Sequence, residues 1–141
     1  MFTPKKVNVK NMFEIDEATA RKMIKTAEET RVNTFPERNK GYVVSALTKK
    51  GNIYPGISYG SDTETLTMHS EMTALAHAAI HGEFEIIAIT GPNCHICKQL
   101  IYENGLRSGI DIMIICEDDG KIKQFPISSV MPYPWPEKPR T

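Results

Sequence analysis

The chain has 141 residues, 40% of them hydrophobic, with 17 basic and 17 acidic side chains. That length suits a single domain with one core, and no apolar run approaches the roughly 18 residues of a membrane span. A net charge of zero supplies none of the overall positive field that binding to phosphate backbones requires, so a small, near-neutral substrate is favoured over nucleic acid.

Residues 1–141 are therefore expected to form one soluble domain. Met1 to Lys10 carries basic residues with no apolar run behind them, so it does not resemble a secretory signal, and a cytoplasmic location is expected. Asp16-Glu17 has the chemistry of a helix start, and Ala20, Met23, Ile24 and Ala27 recur at the spacing of one helical face. Tyr42 to Thr48 and Ile53 to Tyr59 are strand-like, and Lys49-Lys50-Gly51-Asn52 between them makes a hairpin turn. A polar loop from Gly60 to Thr67, with Asp62 and Glu64, delivers the chain to His69, after which a second helix runs to about His81.

Glu85 to Thr90 contains Ile86-Ile87-Ala88-Ile89, which suits a central strand. A helix is expected from Cys94 to Glu103 with Gly105 as its left-handed cap, then a strand from Ile110 to Cys116. Asp118-Asp119-Gly120 turns that strand back into Lys121 to Phe125. The order α, β, β, α, β, α, β, β places strands on either side of helices, which implies an α/β fold with a partly parallel sheet. Pro132, Pro134, Pro136 and Pro139 make Met131 to Thr141 extended, and Tyr133 and Trp135 on it suit either capping a pocket or packing the tail.

Two short stretches hold the chemistry: His69-Ser70-Glu71, and Pro92-Asn93-Cys94-His95-Ile96-Cys97. One imidazole and two thiolates fill three of the four tetrahedral positions that zinc prefers, leaving the fourth for water. Bound zinc lowers the pKa of such a water to about 7, and Glu71 is placed to move its protons. Cys94 and Cys97, three apart, put both sulfurs on one side of a first helical turn, where the helix dipole favours thiolates. His69 and Glu71, two apart, can both face a pocket only at the very end of a helix. The three cysteines are an odd number, and two have ligand spacing, which argues against a disulfide framework. C-x-x-C alone also suits redox pairs and structural zinc, but with H-x-E upstream it is the signature of zinc-dependent base deaminases. The pattern implies one zinc per chain and hydrolytic deamination, in which Glu71 passes a proton from water to a ring nitrogen and ammonia leaves.

Beyond these motifs, Gly51, Ile53, Gly56, Leu66-Thr67, Thr73-Ala74, Gln99, Glu103 and Met131-Pro132 fall where the cytidine deaminase family places similar residues. From about Gly41 to Trp135 the chain resembles that family. The resemblance implies a three-layer α-β-α fold with a five-stranded mixed sheet, and assembly as a homo-oligomer, first as a tetramer. It also implies a cytosine-type amine in a free nucleoside, cytidine or deoxycytidine by default, or in a nucleoside-like compound as the substrate, with the backbone of Ser70 at the pyrimidine.

The chain departs from the family at the metal and at the sugar. His69 stands where small tetrameric members have cysteine, and Met72 where they have an arginine that offsets the extra thiolate charge, so the two changes compensate. Asn93 is inserted between Pro92 and Cys94, where the backbone lines the side of the leaving amine. Ser58-Tyr59-Gly60 replaces an Asn-x-Glu that holds the ribose hydroxyl, and the position of an upstream aromatic falls on Lys40. Losing hydrogen bonds that involve a charge, each about 1.5 to 3 kcal/mol, implies that cytidine is a poorer substrate than a modified cytosine nucleoside, a blasticidin-type compound being one alternative. A rival of another class is a non-catalytic scaffold whose zinc is closed by Cys116, although Cys116, at the end of an apolar strand, suits a core position better. His77, His81 and His95 fit structural or solvated roles, and Asp62 and Glu64 a solvated loop.

Overall fold

A computed structural model describes residues 11–140; the basic stretch Met1 to Lys10 lies outside them. Helix α1, Glu17–Thr30, starts where Asp16 accepts the Thr19 N–H (3.1 Å) and hydroxyl (2.7 Å), and it buries Ala20, Met23 and Ala27. Strands β1 (Val43–Thr48) and β2 (Ile53–Ile57) form the expected antiparallel hairpin, with Gly51 at φ 94° in its turn. Helix α2 (Ser70–Ile80), strand β3 (Ile86–Thr90) and helix α3 (His95–Ser108) follow, then β4 (Met113–Asp118) and β5 (Lys121–Pro126). Asp119 at φ 51° and Gly120 at φ 76° join these last strands in a two-residue turn, their left-handed backbone conformation being the one whose turn matches the right-handed twist of paired strands.

The sheet order is β2-β1-β3-β4-β5, with β3 central. Only β3 and β4 run parallel, because α3 carries the chain from the end of one to the start of the other; the remaining pairs are antiparallel. Side-chain alternation divides the core between the two faces of this mixed sheet. On β4, Ile114 packs with Val44, Ala74, Ile101 and Tyr102 under α2 and α3, whereas Met113 and Ile115 pack with Ala20, Met23 and Leu47 under α1. The result is three layers, helix on sheet on helix. No helix among the described residues is long and apolar enough to cross a membrane.

Two boundaries differ from those the sequence suggests. Gly109 at φ 70°, not Gly105, is the left-handed cap of α3. Gly105 is buried within the helix, where a Cβ would lie 2.3 Å from the Ile110 carbonyl oxygen, so it is a close-packing glycine that lets the following chain cross α3. The second hairpin strand leaves the ladder after Ile57; Tyr59 instead bridges Met68 and Phe35. The proline-rich tail runs along α3, its Trp135 and Pro136 carbonyls accepting from Gln99 Nε2 (2.7 Å) and the Tyr102 hydroxyl (2.6 Å).

Candidate metal centre

His69 is the N-cap residue of α2, and Cys94 is the N-cap residue of α3, both in extended backbone conformation (φ −74°, ψ 155° and φ −71°, ψ 168°). Neither side chain caps its own helix. Giving up a cap costs about 1 kcal/mol, so these two positions forgo stability that serine or aspartate would provide. Their side chains converge instead: His69 Nδ1 lies 3.4 Å from Cys94 Sγ and 3.2 Å from Cys97 Sγ, with Cys97 one turn into α3. All three donor atoms lie within 4.8 Å of one another, the one such group among the described residues.

The donor set fits zinc. With metal–sulfur and metal–nitrogen bonds of about 2.3 and 2.0 Å, a tetrahedron has N···S edges of about 3.5 Å, close to the separations found. Burial pushes the Cys97 thiol far up from its ordinary pKa, and the Glu71 carboxylate and Cys94 beside it add to the shift. A divalent cation inverts that balance, because it compensates for the negative charge that a buried thiolate would otherwise leave exposed to a carboxylate. The first-turn N–H groups of α2 and α3 add positive potential at the same place.

Glu71, 6% exposed, lies next to the group. Asn93 Nδ2 donates to its Oε2 at 2.8 Å, and the Ser70 hydroxyl donates to its Oε1 at 3.1 Å. Glu71, Ser70, His69 and Cys94 form one wall of a cavity of about 450 Å³. Ser58 and Val44 line it as well, and Tyr42, 79% exposed, stands at its rim.

The structure thus gathers His69, Ser70, Glu71, Cys94 and Cys97, with Ser58 also in the cavity lining. The Ser58 hydroxyl oxygen accepts the Tyr42 N–H at 3.0 Å. Gly60 is not in the lining; its N–H is bonded to the Phe35 carbonyl (2.8 Å), and a Cβ there would meet Pro36 Cδ at 3.0 Å. Lys40, to which the sequence register assigns the upstream aromatic, points away to Glu37 (3.9 Å), and the aromatic at the cavity is Tyr42, two residues on. Asp62 and Glu64 are exposed and outside the lining. So are Tyr133 and Trp135, whose indole instead receives the Arg140 guanidinium 5.4 Å from its ring centroid. Cys116 is half-buried and is not one of the donor group. His77 bonds the Pro55 carbonyl (2.9 Å), and His81 stacks on Tyr54, both structural placements.

The grip of Asn93 on Glu71 is the feature that sequence reasoning did not assign. The available signal was a polar residue placed between a strand-ending Gly91-Pro92 and a ligand, where the chain is turning inward.

This architecture is the cytidine deaminase fold. The chain is similar to the cytidine deaminase from Burkholderia pseudomallei at 19% identity and a TM-score of 0.67, over 82% of this chain and 98% of that one. The cytidine deaminase from Mycobacterium leprae matches at 18% and 0.65, over 79% and 96%. That from Mycobacterium tuberculosis matches at 14% and 0.66, over 87% and 99%. No protein-family model matches the chain, and no curated protein matches it in sequence.

Proposed function

We propose that the protein is a zinc-dependent hydrolytic deaminase that converts a cytosine-type amine to the uracil form in a free nucleoside or nucleoside-like compound. The observation that carries this is a buried carboxylate, Glu71, held beside the His69–Cys94–Cys97 group on the wall of a substrate-sized cavity.

His69, Cys94 and Cys97 would hold the metal, which when bound supplies Lewis acidity and a water with a pKa near 7. Glu71 accepts one proton from the attacking water and delivers it to the ring nitrogen beside the amine-bearing carbon. It then takes the remaining proton of the added hydroxyl and passes it to the departing amine, so that the C–N bond breaks, ammonia leaves and the oxygen becomes the carbonyl. A positioned acid/base group of this kind contributes about 10² to 10⁴ in rate. The backbone of Ser70 borders the pyrimidine, and Val44 helps exclude water from it.

The sugar end is distinctive. Ser58 has committed an oxygen lone pair to Tyr42, and Gly60 has no side chain to offer. A nucleoside that relies little on ribose hydroxyl contacts fits this end, the aromatic face of Tyr42 providing apolar contact instead. Among the described residues, Glu71 is the only acidic side chain in the lining, so a cationic arm of the blasticidin type finds no second counter-charge there.

The proposal includes a cytoplasmic location, where reduced thiols remain available to metal, and a homo-oligomer, with a tetramer as the first expectation. The exposed Tyr133 and Trp135 support the latter, and light scattering at the mass of one chain would contradict it. The test of function is ammonia release from cytidine, deoxycytidine and sugar-modified cytosine nucleosides by zinc-loaded protein. At least one is expected to be turned over with kcat/KM of about 10⁴ M⁻¹s⁻¹ or more. Ammonia from none of them overturns the proposal.

A further inference from the structure

Glutamate has several rotatable bonds, and a carboxylate on the first turn of a helix is not confined by packing alone. In this chain Asn93 confines it. The asparagine is 8% exposed, and its amide nitrogen spends its two hydrogens on Glu71 Oε2 (2.8 Å) and the Thr90 carbonyl (3.1 Å). Both partners are acceptors, so the chemistry itself fixes which end of the amide faces them. Thr90 ends the central strand, and its hydroxyl oxygen accepts the Ser45 N–H of β1 at 2.9 Å. Glu71 on α2 is thereby tied to the middle of the sheet through one side chain. The seat is shaped for it: a Cβ on Gly91 would lie 2.7 Å from Asn93 Oδ1.

We propose that Asn93 is a positioning residue that fixes the Glu71 carboxylate for proton transfer. The catalytic half of this statement rests on the deaminase proposal; the hold of Asn93 on Glu71 does not. The bond to Thr90 fixes the rigid amide and the bond to Oε2 fixes that oxygen of the carboxylate, which leaves Oε1, near the Ser70 hydroxyl, as the oxygen able to move protons. Positional errors of about 1 Å can cost about 10²-fold in rate.

The zinc-loaded protein is compared with Asn93→Ala and Asn93→Asp, with deoxycytidine as the probe. Asn93→Asp keeps the volume but replaces the donor with an oxygen that repels Glu71. The expected results are a fall in kcat of about 10-fold or more for Asn93→Ala and a larger fall for Asn93→Asp, with KM little changed and one zinc per chain retained. The second measurement needs no activity: denaturant unfolding of Asn93→Ala, Glu71→Ala and the double variant. Asn93→Ala should shift the unfolding equilibrium about 10- to 100-fold more with Glu71 present than with it absent. An Asn93→Asp variant as active as wild type, a loss confined to KM, loss of zinc, or additive unfolding effects would overturn the proposal. If the wild type deaminates nothing, the deaminase proposal fails, and the unfolding cycle still decides whether Asn93 holds Glu71.

Discussion

Gly56 sits beneath the candidate site, on β2 opposite Val44, where the strand passes under the first turn of α2. A Cβ at this position would lie 2.1 Å from the Ser70 carbonyl oxygen, 2.4 Å from Ala74 N and 2.6 Å from Ala74 Cβ. Two of these are backbone atoms, which cannot swing aside as a side-chain tip can, so in Gly56→Ala strand and helix must separate by more than about 1 Å to regain van der Waals distance. Overpacking of this kind costs about 1 to 3 kcal/mol, which for a chain of this length lowers Tm by roughly 3 to 10 °C. The displaced turn carries His69, Ser70 and Glu71, so turnover should fall by about 10²-fold even in the folded fraction at a temperature well below the new Tm. Calorimetry, metal analysis and deamination at saturating substrate measure the three effects separately. A Gly56→Ala protein with Tm within about 1 °C of wild type and undiminished turnover would refute the claim that this close approach sets the geometry of the site.

Cys97→Ser should lose most of its zinc, because a buried hydroxyl is a poor substitute for a thiolate ligand; retention of one equivalent by metal analysis would remove Cys97 from the ligand set. The Glu83 carboxylate accepts from Thr48 Oγ1 (2.6 Å), Asn52 Nδ2 (2.8 Å) and the Tyr54 hydroxyl, donors that hold it below the usual carboxylate range, Thr48 foremost. A pKa depressed by folding contributes stability that is present above the unfolded value, about 4.3, and is lost as pH falls through the folded one. The Tm of wild type should therefore drop towards that of Glu83→Gln as acid is added, and an unchanged gap between them down to about pH 2 would contradict the assignment. Cytidine should be a poorer substrate than a cytosine nucleoside with an altered sugar; if it proves the best of a panel, at about 10⁵ M⁻¹s⁻¹ or more, the inference from Ser58 and Gly60 is wrong.

Much of the fold was legible because its signals are local. The apolar spacing of Ala20, Met23 and Ala27, the Asp119-Gly120 turn and the run Ile86 to Ile89 each state their conformation within a few residues. The donor trio was legible for a different reason: few chemistries need an imidazole and a C-x-x-C pair after H-x-E. What was missed depends on partners far along the chain. Gly105 and Gly109 look alike as helix stops, and only the carbonyl of Ile110 against Gly105 tells the packing glycine from the cap. Asn93 could be assigned to Glu71 only once α2 and α3 were seen end to end, 22 residues apart in sequence. The displacement from Lys40 to Tyr42 reflects a register that no nearby motif pins.

The central claim is that Glu71 moves protons at a zinc held by His69, Cys94 and Cys97. The most direct test is ammonia release from a turned-over cytosine nucleoside by wild type and Glu71→Gln, each verified to carry one zinc per chain. An amide cannot shuttle protons, so the account predicts that Glu71→Gln folds, keeps its metal and loses at least about 10² in turnover. Deamination by that variant at close to the wild-type rate, with equal zinc content, would contradict it.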